Sequence, residues 1–130
     1  MVCLDTDVII DYLKKKQPAT ATIQRLQDNG SSFTATTITS FELFKGIYRL
    51  PNETEKQAIQ TFIAITTLLD FTCEASVVAA EISEHLRKKG EEIDTLDLQI
   101  AAICISKNES LLTRNVRHFE RIPGLRLEPL

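Results

Sequence analysis

The sequence predicts an α/β protein, a three-layer α/β/α arrangement with a central parallel sheet of short strands. Short apolar runs such as Val2–Leu4 read as buried strands, and a longer segment with helical apolar spacing follows each. Strands that alternate with helices in this way build a parallel sheet covered on both faces. The 130 residues are 43 % hydrophobic and 25 % charged, which suits one ordinary domain, residues 1–130, with a core that needs no disulfides.

Val2 to Leu4 is the first predicted strand. A helix is expected from Asp7 to Lys16, with Val8, Ile9, Tyr12 and Leu13 on its apolar face. Lys14, Lys15 and Lys16 then sit at its negative dipole end. Pro18 opens a second helix that Asn29-Gly30 ends. A second strand is expected at Ser32–Thr36, and a helix from Thr39 through about Tyr48. Asn52 begins a longer helix with Ile59, Phe62, Ile63 and Leu68 inside, and Asp70–Thr72 is expected as the third strand. Glu74–Lys89 is a helix with Ala75, Val78, Ala79, Ile82 and Leu86 on its apolar face, capped by Gly90. Asp94 begins another helix that runs to about Lys107. Leu111–Thr113 and Leu125–Leu127 complete the predicted sheet. No repeat, low-complexity segment or linker interrupts the chain.

The net charge of −3 argues against a non-specific coat for duplex DNA, which needs a broad basic surface. Cys3, Cys73 and Cys104 form no CxxC or Cys/His cluster. Free thiols in a reducing cytoplasm are expected rather than a disulfide framework or a zinc site. No stretch is long and apolar enough to span a membrane, and no signal peptide is expected at the N-terminus.

The acids carry the functional argument. In open parallel sheets, ligands bind outside the carboxyl ends of the strands. Asp5 ends the first strand, and Thr113 and Asn115 stand just past Leu111–Leu112. Glu42 and Asp97 lie in predicted first turns of helices, Glu42 soon after the second strand. All could converge at one sheet edge. Each also has a plainer reading. Thr39-Ser40-Phe41-Glu42 fits a capping box, Asp94-Thr95-Leu96-Asp97 can be read the same way, and acids in first turns suit the helix dipole. Asp97, however, borders the apolar stripe Leu96, Ile100 and Ile103, which predicts partial burial. A buried carboxylate needs a partner, and no Lys or Arg lies one turn away on that helix. Other acids around a hard cation would satisfy it.

Four stretches carry a resemblance: LDTDVIIDYL (4–13), TSFELFKG (39–46), IDTLDLQIAAIC (93–104) and LLTRNVRHFERIPGL (111–125). In order and spacing they resemble the four motifs of PIN-domain ribonucleases, and are most similar to VapC-type toxins of toxin–antitoxin pairs. The resemblance covers nearly the whole chain. It implies a PIN-like fold and metal-dependent endonuclease activity on RNA, with Mg²⁺ or Mn²⁺ as cofactor. By position, Asp5, Glu42 and Asp97 match the acidic metal-binding residues, and Asn115 matches a fourth position that is Asp or Asn. His118 stands where many relatives carry another acid. Thr6, Ser40 and Thr113 match small hydroxyl residues near the metal. The resemblance further implies a cognate antitoxin of VapB type and a homodimer. Lys45, Arg49, Arg114 and Arg117 are candidates for a basic rim that meets RNA. Asp7 is expected to cap the first helix, Asp94 to cap its own helix, and Asp11 to be a solvated helix residue.

Two other readings remain open at this point. Asp5-Thr6-Asp7-Val8 also fits the nucleophile motif of aspartyl-phosphate phosphatases of haloacid dehalogenase type. That chemistry needs a downstream Lys, for which Lys107 is a poor candidate, and late acids, which Leu111–Arg117 lacks. A non-catalytic PIN scaffold is the other, and the intact acids argue against it.

Overall fold

The computed structural model describes residues 1–130. β1 (Val2–Leu4) runs straight into α1 (Thr6–Leu13), which is followed by α2 (Ala19–Asp28), β2 (Phe33–Thr36) and α3 (Thr37–Ile47). Next come α4 (Glu53–Ile65), β3 (Thr67–Leu69), α5 (Cys73–Lys89) and α6 (Thr95–Ser106). β4 (Ser110–Leu112), a short α7 (Val116–Phe119) and β5 (Leu127–Glu128) end the chain. All strand pairs are parallel, in the order β3-β2-β1-β4-β5. The expected three-layer α/β/α architecture is therefore what forms.

Side chains alternate across the sheet and supply one core on each face. Val2, Leu4, Ala35 and Leu112 pack with Val8, Ile9, Ile23, Leu43, Ile47 and Ile59 on one side. Cys3 and Leu111 pack with Ile82, Leu86, Ile100, Ala101, Cys104 and Phe119 on the other. Full burial of each such aliphatic side chain contributes about 1.5–3 kcal/mol, so a polar change at Val2 or Leu4 would damage one layer and a polar change at Cys3 the other.

The sheet order fixes where a ligand can bind. From β1 the chain builds outward through β2 and β3, then crosses back to lay β4 on the other side of β1. The carboxyl ends of β1 and β4 thus flank the topological switch point. Leu4 is in register with Leu112, and the Asp5 N–H donates to the Leu112 carbonyl at 3.0 Å. Asp5 and Thr113 consequently leave the sheet side by side.

Several local expectations are corrected. Asp5, not Asp7, is the N-cap of α1, because helical geometry begins one residue after the strand ends. α1 stops at Leu13, and Lys15 turns to a positive φ of 59°, so Lys14–Lys16 lie beyond the helix. α3 starts at Thr37, since the Thr36 hydroxyl accepts from the Thr39 N–H at 3.0 Å. Thr39 and Glu42 therefore form no capping box, and Glu42 lies in the second turn, free to reach elsewhere. The third strand is Thr67–Leu69 rather than Asp70–Thr72. The β-branched pair Thr66-Thr67 ends α4 in extended backbone, which places Leu68 on the sheet, while Thr72 caps α5. Asp11 is buried instead of solvated. The α7 helix was not expected from sequence.

Candidate active site

Asp5 is 6 % exposed and both of its oxygens are held. Oδ1 accepts from the Thr6 N–H at 2.8 Å, and Oδ2 accepts from the Thr113 hydroxyl at 2.7 Å. Burial nevertheless pushes its carboxyl up from the ordinary aspartate range, against the opposing pull of those two bonds. Thr6 also donates its hydroxyl to Glu42 Oε1 at 2.7 Å, so one residue links an acid at the end of β1 to an acid on α3. Glu42 is likewise raised, first by burial and then, after the opposing Thr6 bond, by the negative charge of Asp5.

Asp97 reaches the same edge from α6, whose N-cap is Asp94 through a bond from the Leu96 N–H. Burial, then the charges of Asp5, Asp94 and Glu42, push Asp97 up to about 6. Three carboxylates from three elements therefore lie within electrostatic reach of one another.

Asn115 follows β4. Its N–H donates to the Thr113 hydroxyl oxygen at 3.0 Å, and its Nδ2 reaches Asp97 Oδ2 at 3.4 Å and His118 Nδ1 at 2.8 Å. His118 Nδ1 also stands 3.7 Å from Asp97 Oδ2. The His118 ring nitrogen therefore faces both Asn115 Nδ2 and Asp97 Oδ2, and its contact with Asp97 pulls that carboxyl down against the effect of burial. His118 thus joins the acid cluster instead of packing away from it.

The sequence expected Thr6, Ser40 and Thr113 as hydroxyls beside the acids. Thr6 and Thr113 are there, whereas the Ser40 hydroxyl donates to the Thr37 carbonyl within its own helix. Of the expected rim, Arg49 and Arg117 are exposed. Lys45 is also exposed, lying 5.3 Å from the Phe41 ring centroid and close enough to lower the Glu42 carboxyl. Arg114 is committed elsewhere: Nη1 lies 3.1 Å from Asp11 Oδ2 and Nη2 lies 3.4 Å from Asp7 Oδ2. Sequence reasoning missed Asp11 because an acid one turn past Asp7 on the first helix reads as a solvated surface residue. The close Asp7/Asp11 spacing of like charges was the available signal that a cation had to come from elsewhere.

The donor set is chemically suited to a hard divalent cation. Asp5, Glu42 and Asp97 offer only oxygen, they raise one another's proton affinity, and no Lys or Arg forms an ion pair with any of them. No group of three His, Cys, Asp or Glu side chains lies close enough together here to hold a metal ion as it stands.

A parallel sheet of order 3-2-1-4-5, with carboxylates gathered at the β1/β4 switch point, defines an α/β/α protein with an acidic site at the carboxyl edge of its sheet. The sequence profile of the PIN domain matches residues 2–125. The chain is similar to Ribonuclease VapC19 of Mycobacterium tuberculosis, with 30 % identity over 125 residues, 96 % of this chain and 97 % of that one. It is also similar to the tRNA(fMet)-specific endonuclease VapC of Salmonella typhimurium, with 32 % identity over 126 residues, 96 % of this chain and 94 % of that one. Among solved structures, VapBC2 from Rickettsia felis bound to a promoter DNA fragment gives a TM-score of 0.87 at 27 % identity, covering 98 % of both chains. DNA-bound VapBC from Salmonella typhimurium gives 0.86 at 30 % identity, covering 98 % of this chain and 96 % of that one. The chain belongs to the PIN-domain family, in its VapC branch of ribonucleases.

Proposed function

We propose that this protein is an endoribonuclease that cleaves RNA phosphodiester bonds with the help of Mg²⁺ or Mn²⁺, acting as the toxin of a toxin–antitoxin pair. The observation that carries this reading is the convergence of Asp5, Glu42, Asp97 and Asn115, from four different elements, at the switch point of a PIN-type sheet. A phosphatase of haloacid dehalogenase type would use Asp5 as nucleophile and leave Glu42 and Asp97 without a role.

Asp5, Asp97 and Glu42 would hold the cation, Glu42 directly or through water. When bound, the ion supplies an activated water and a counter-charge for the transition state. The chain's own groups do the rest. Thr113 and the Thr6 N–H fix the Asp5 carboxylate so that it does not swing away from its neighbours. Asn115 positions a water or an oxygen beside Asp97. His118 stands at the same edge, with its Nδ1 beside Asn115 and Asp97. Lys45, Arg49 and Arg117 give the acidic pocket a basic rim that meets the RNA backbone.

The partners we assign are a VapB-type antitoxin and a second copy of the chain. A cavity of about 160 Å³ beside Glu42, lined by Ile10, Leu13, Leu43, Leu50, Ala58 and Ile59, would take an apolar side chain of the antitoxin. An antitoxin arginine could then reach the acids. No helix is long and apolar enough to cross a membrane, and the three free thiols fit a reducing cytoplasm.

The test is cleavage of purified total RNA by the unaltered protein, by Asp5→Asn and by Asp97→Asn, each with Mg²⁺, with Mn²⁺ and with EDTA. Metal-dependent cleavage lost in both variants is expected. Full cleavage by either variant, or cleavage that survives thorough chelation, would overturn the assignment.

A further inference from the structure

We propose that Arg114 is a positioning residue for RNA cleavage, latched to Asp11 and Asp7 on α1 so that the segment Thr113–Asn115 keeps its place between Asp5 and Asp97. The proposal rests on the ribonuclease reading above.

Asp11 is 7 % exposed, and a carboxylate that deep requires a counter-charge. Lys14 and Lys15 cannot provide it, because α1 ends at Leu13 and both lysines are exposed beyond it. The charge that meets Asp11 is Arg114, at 3.1 Å, and the same guanidinium reaches Asp7 at 3.4 Å. Asp7 and Asp11 are one helical turn apart, so one planar cation spans two like charges that would otherwise repel. A rigid fork held at two points fixes its own backbone as well as its head.

That backbone is the one the site depends on. The residue before Arg114 donates to Asp5, and the residue after it reaches Asp97 and His118. β4 ends at Leu112 and α7 begins at Val116 with Asn115 as its cap, whose carbonyl accepts from the His118 and Phe119 N–H groups, so Thr113 and Arg114 are left with neither ladder nor helix bonds to hold them. The Arg114 latch supplies that restraint from α1. It also removes Arg114 from the RNA-binding rim, where the sequence had placed it. Misplaced catalytic groups slow the chemical step far more than they weaken binding, so the latch should act on kcat.

The experiment compares the unaltered protein with Asp11→Asn, Arg114→Gln, the double variant and Arg114→Lys. Cleavage is measured first on total RNA and then on a labelled transcript spanning the site cut, with kcat and KM separated. Amide hydrogen exchange at Asn115, whose N–H bonds to the Thr113 hydroxyl, is followed without metal. Each single variant should lose about 10- to 100-fold in kcat with KM nearly unchanged. The double variant should be no slower than the worse single one, Arg114→Lys should recover part of the rate, and Asn115 exchange should speed up in the two single variants. Arg114→Gln strands a buried carboxylate and could unfold. The double variant lacks that charge and keeps the comparison interpretable. A raised KM at normal kcat for Arg114→Gln, with Asp11→Asn unaffected, would make Arg114 a direct RNA contact and overturn the latch. Additive losses or unchanged Asn115 exchange would overturn it too. If the unaltered protein cuts no RNA, the ribonuclease reading fails, and the exchange data alone decide whether the latch exists.

Discussion

Asp97→Asn should make the metal-free protein more stable at neutral pH while it abolishes RNA cleavage. The Asp97 carboxyl is raised from 3.8 to about 6, chiefly by burial and then by the charges of Asp5, Asp94 and Glu42. A shift of about two units corresponds to roughly 3 kcal/mol. The side chain keeps 21 % of its surface exposed and sits at an open edge, so solvent screening cuts this to about 1–2 kcal/mol. The sign follows from proton uptake. Between pH 3.8 and about 6 the folded chain holds a proton on Asp97 that the unfolded chain has released, so stability falls as pH rises through that window. Above it the full cost of the buried charge is present; below it there is none. Asparagine keeps the shape and an acceptor oxygen for Asn115, and removes the charge.

The assay is thermal unfolding in chelated buffer at pH 7.5 and pH 5. At pH 7.5 the variant should melt roughly 3–8 °C above the unaltered protein, given a few degrees per kcal/mol for a chain of this size. At pH 5, midway through that window, the gain should shrink to about half, and it should vanish only as the pH approaches 3.8. Added Mg²⁺ should reverse the order. An ion present at about 100 times its Kd adds roughly 2.7 kcal/mol to the protein that binds it and little to one lacking a charged ligand. A melting difference that is the same at both pH values, or a variant destabilised at pH 7.5, would refute the picture of Asp97 as a charge held at a cost for metal.

Asp5→Asn should likewise stop cleavage without loss of fold, read by cleavage of total RNA alongside circular dichroism. Thr113→Val should cost about 1–3 kcal/mol in urea unfolding, because it leaves a buried Asp5 oxygen and the Asn115 N–H without a partner, and it should slow cleavage. His118→Asp adds a hard oxygen ligand and a negative charge beside Asn115 and Asp97, and should tighten Mn²⁺ binding or raise the number of ions bound. Calorimetric titration giving identical affinity and stoichiometry for both proteins would place His118 outside the metal site.

The sequence made the parallel sheet and the acid positions legible for a specific reason. Strand-end acids are visible as an apolar run followed by Asp, and Asp5 and Asp97 needed only correct elements to be placed. Boundaries were harder where hydroxyl residues are dense. In Thr36-Thr37-Ile38-Thr39-Ser40 any of four side chains could cap a helix, and the extended backbone at the end of β2 decided for Thr36. Thr66-Thr67 hid β3 because helical apolar spacing runs on into Leu68. The Asp11–Arg114 pair was illegible because it joins residues distant in the chain, and Asp11 alone reads as a solvated helix residue. The Thr6–Glu42 bond was hidden in the same way, since Glu42 fitted a local cap so well.

Thr6 shows how the fold can tolerate a site that opposes its own stability. Its N–H holds Asp5 and its hydroxyl holds Glu42, so a single residue in the first turn of α1 sets the placement of two carboxylates that repel each other. Thr113 does the equivalent work from β4, donating its hydroxyl to Asp5 and accepting the Asn115 N–H. Both threonines are anchored by the same register pair, Leu4 with Leu112, at the centre of the sheet. Relaxation of the acids away from one another would require these short bonds to break in a buried setting, where each lost donor is expensive. The repulsion therefore persists in the folded state, and the divalent cation proposed for this site would relieve it. This accounts for an aspartate at the point where the central strand stops: the position is rigid, it faces the switch point, and it cannot retreat from its neighbours.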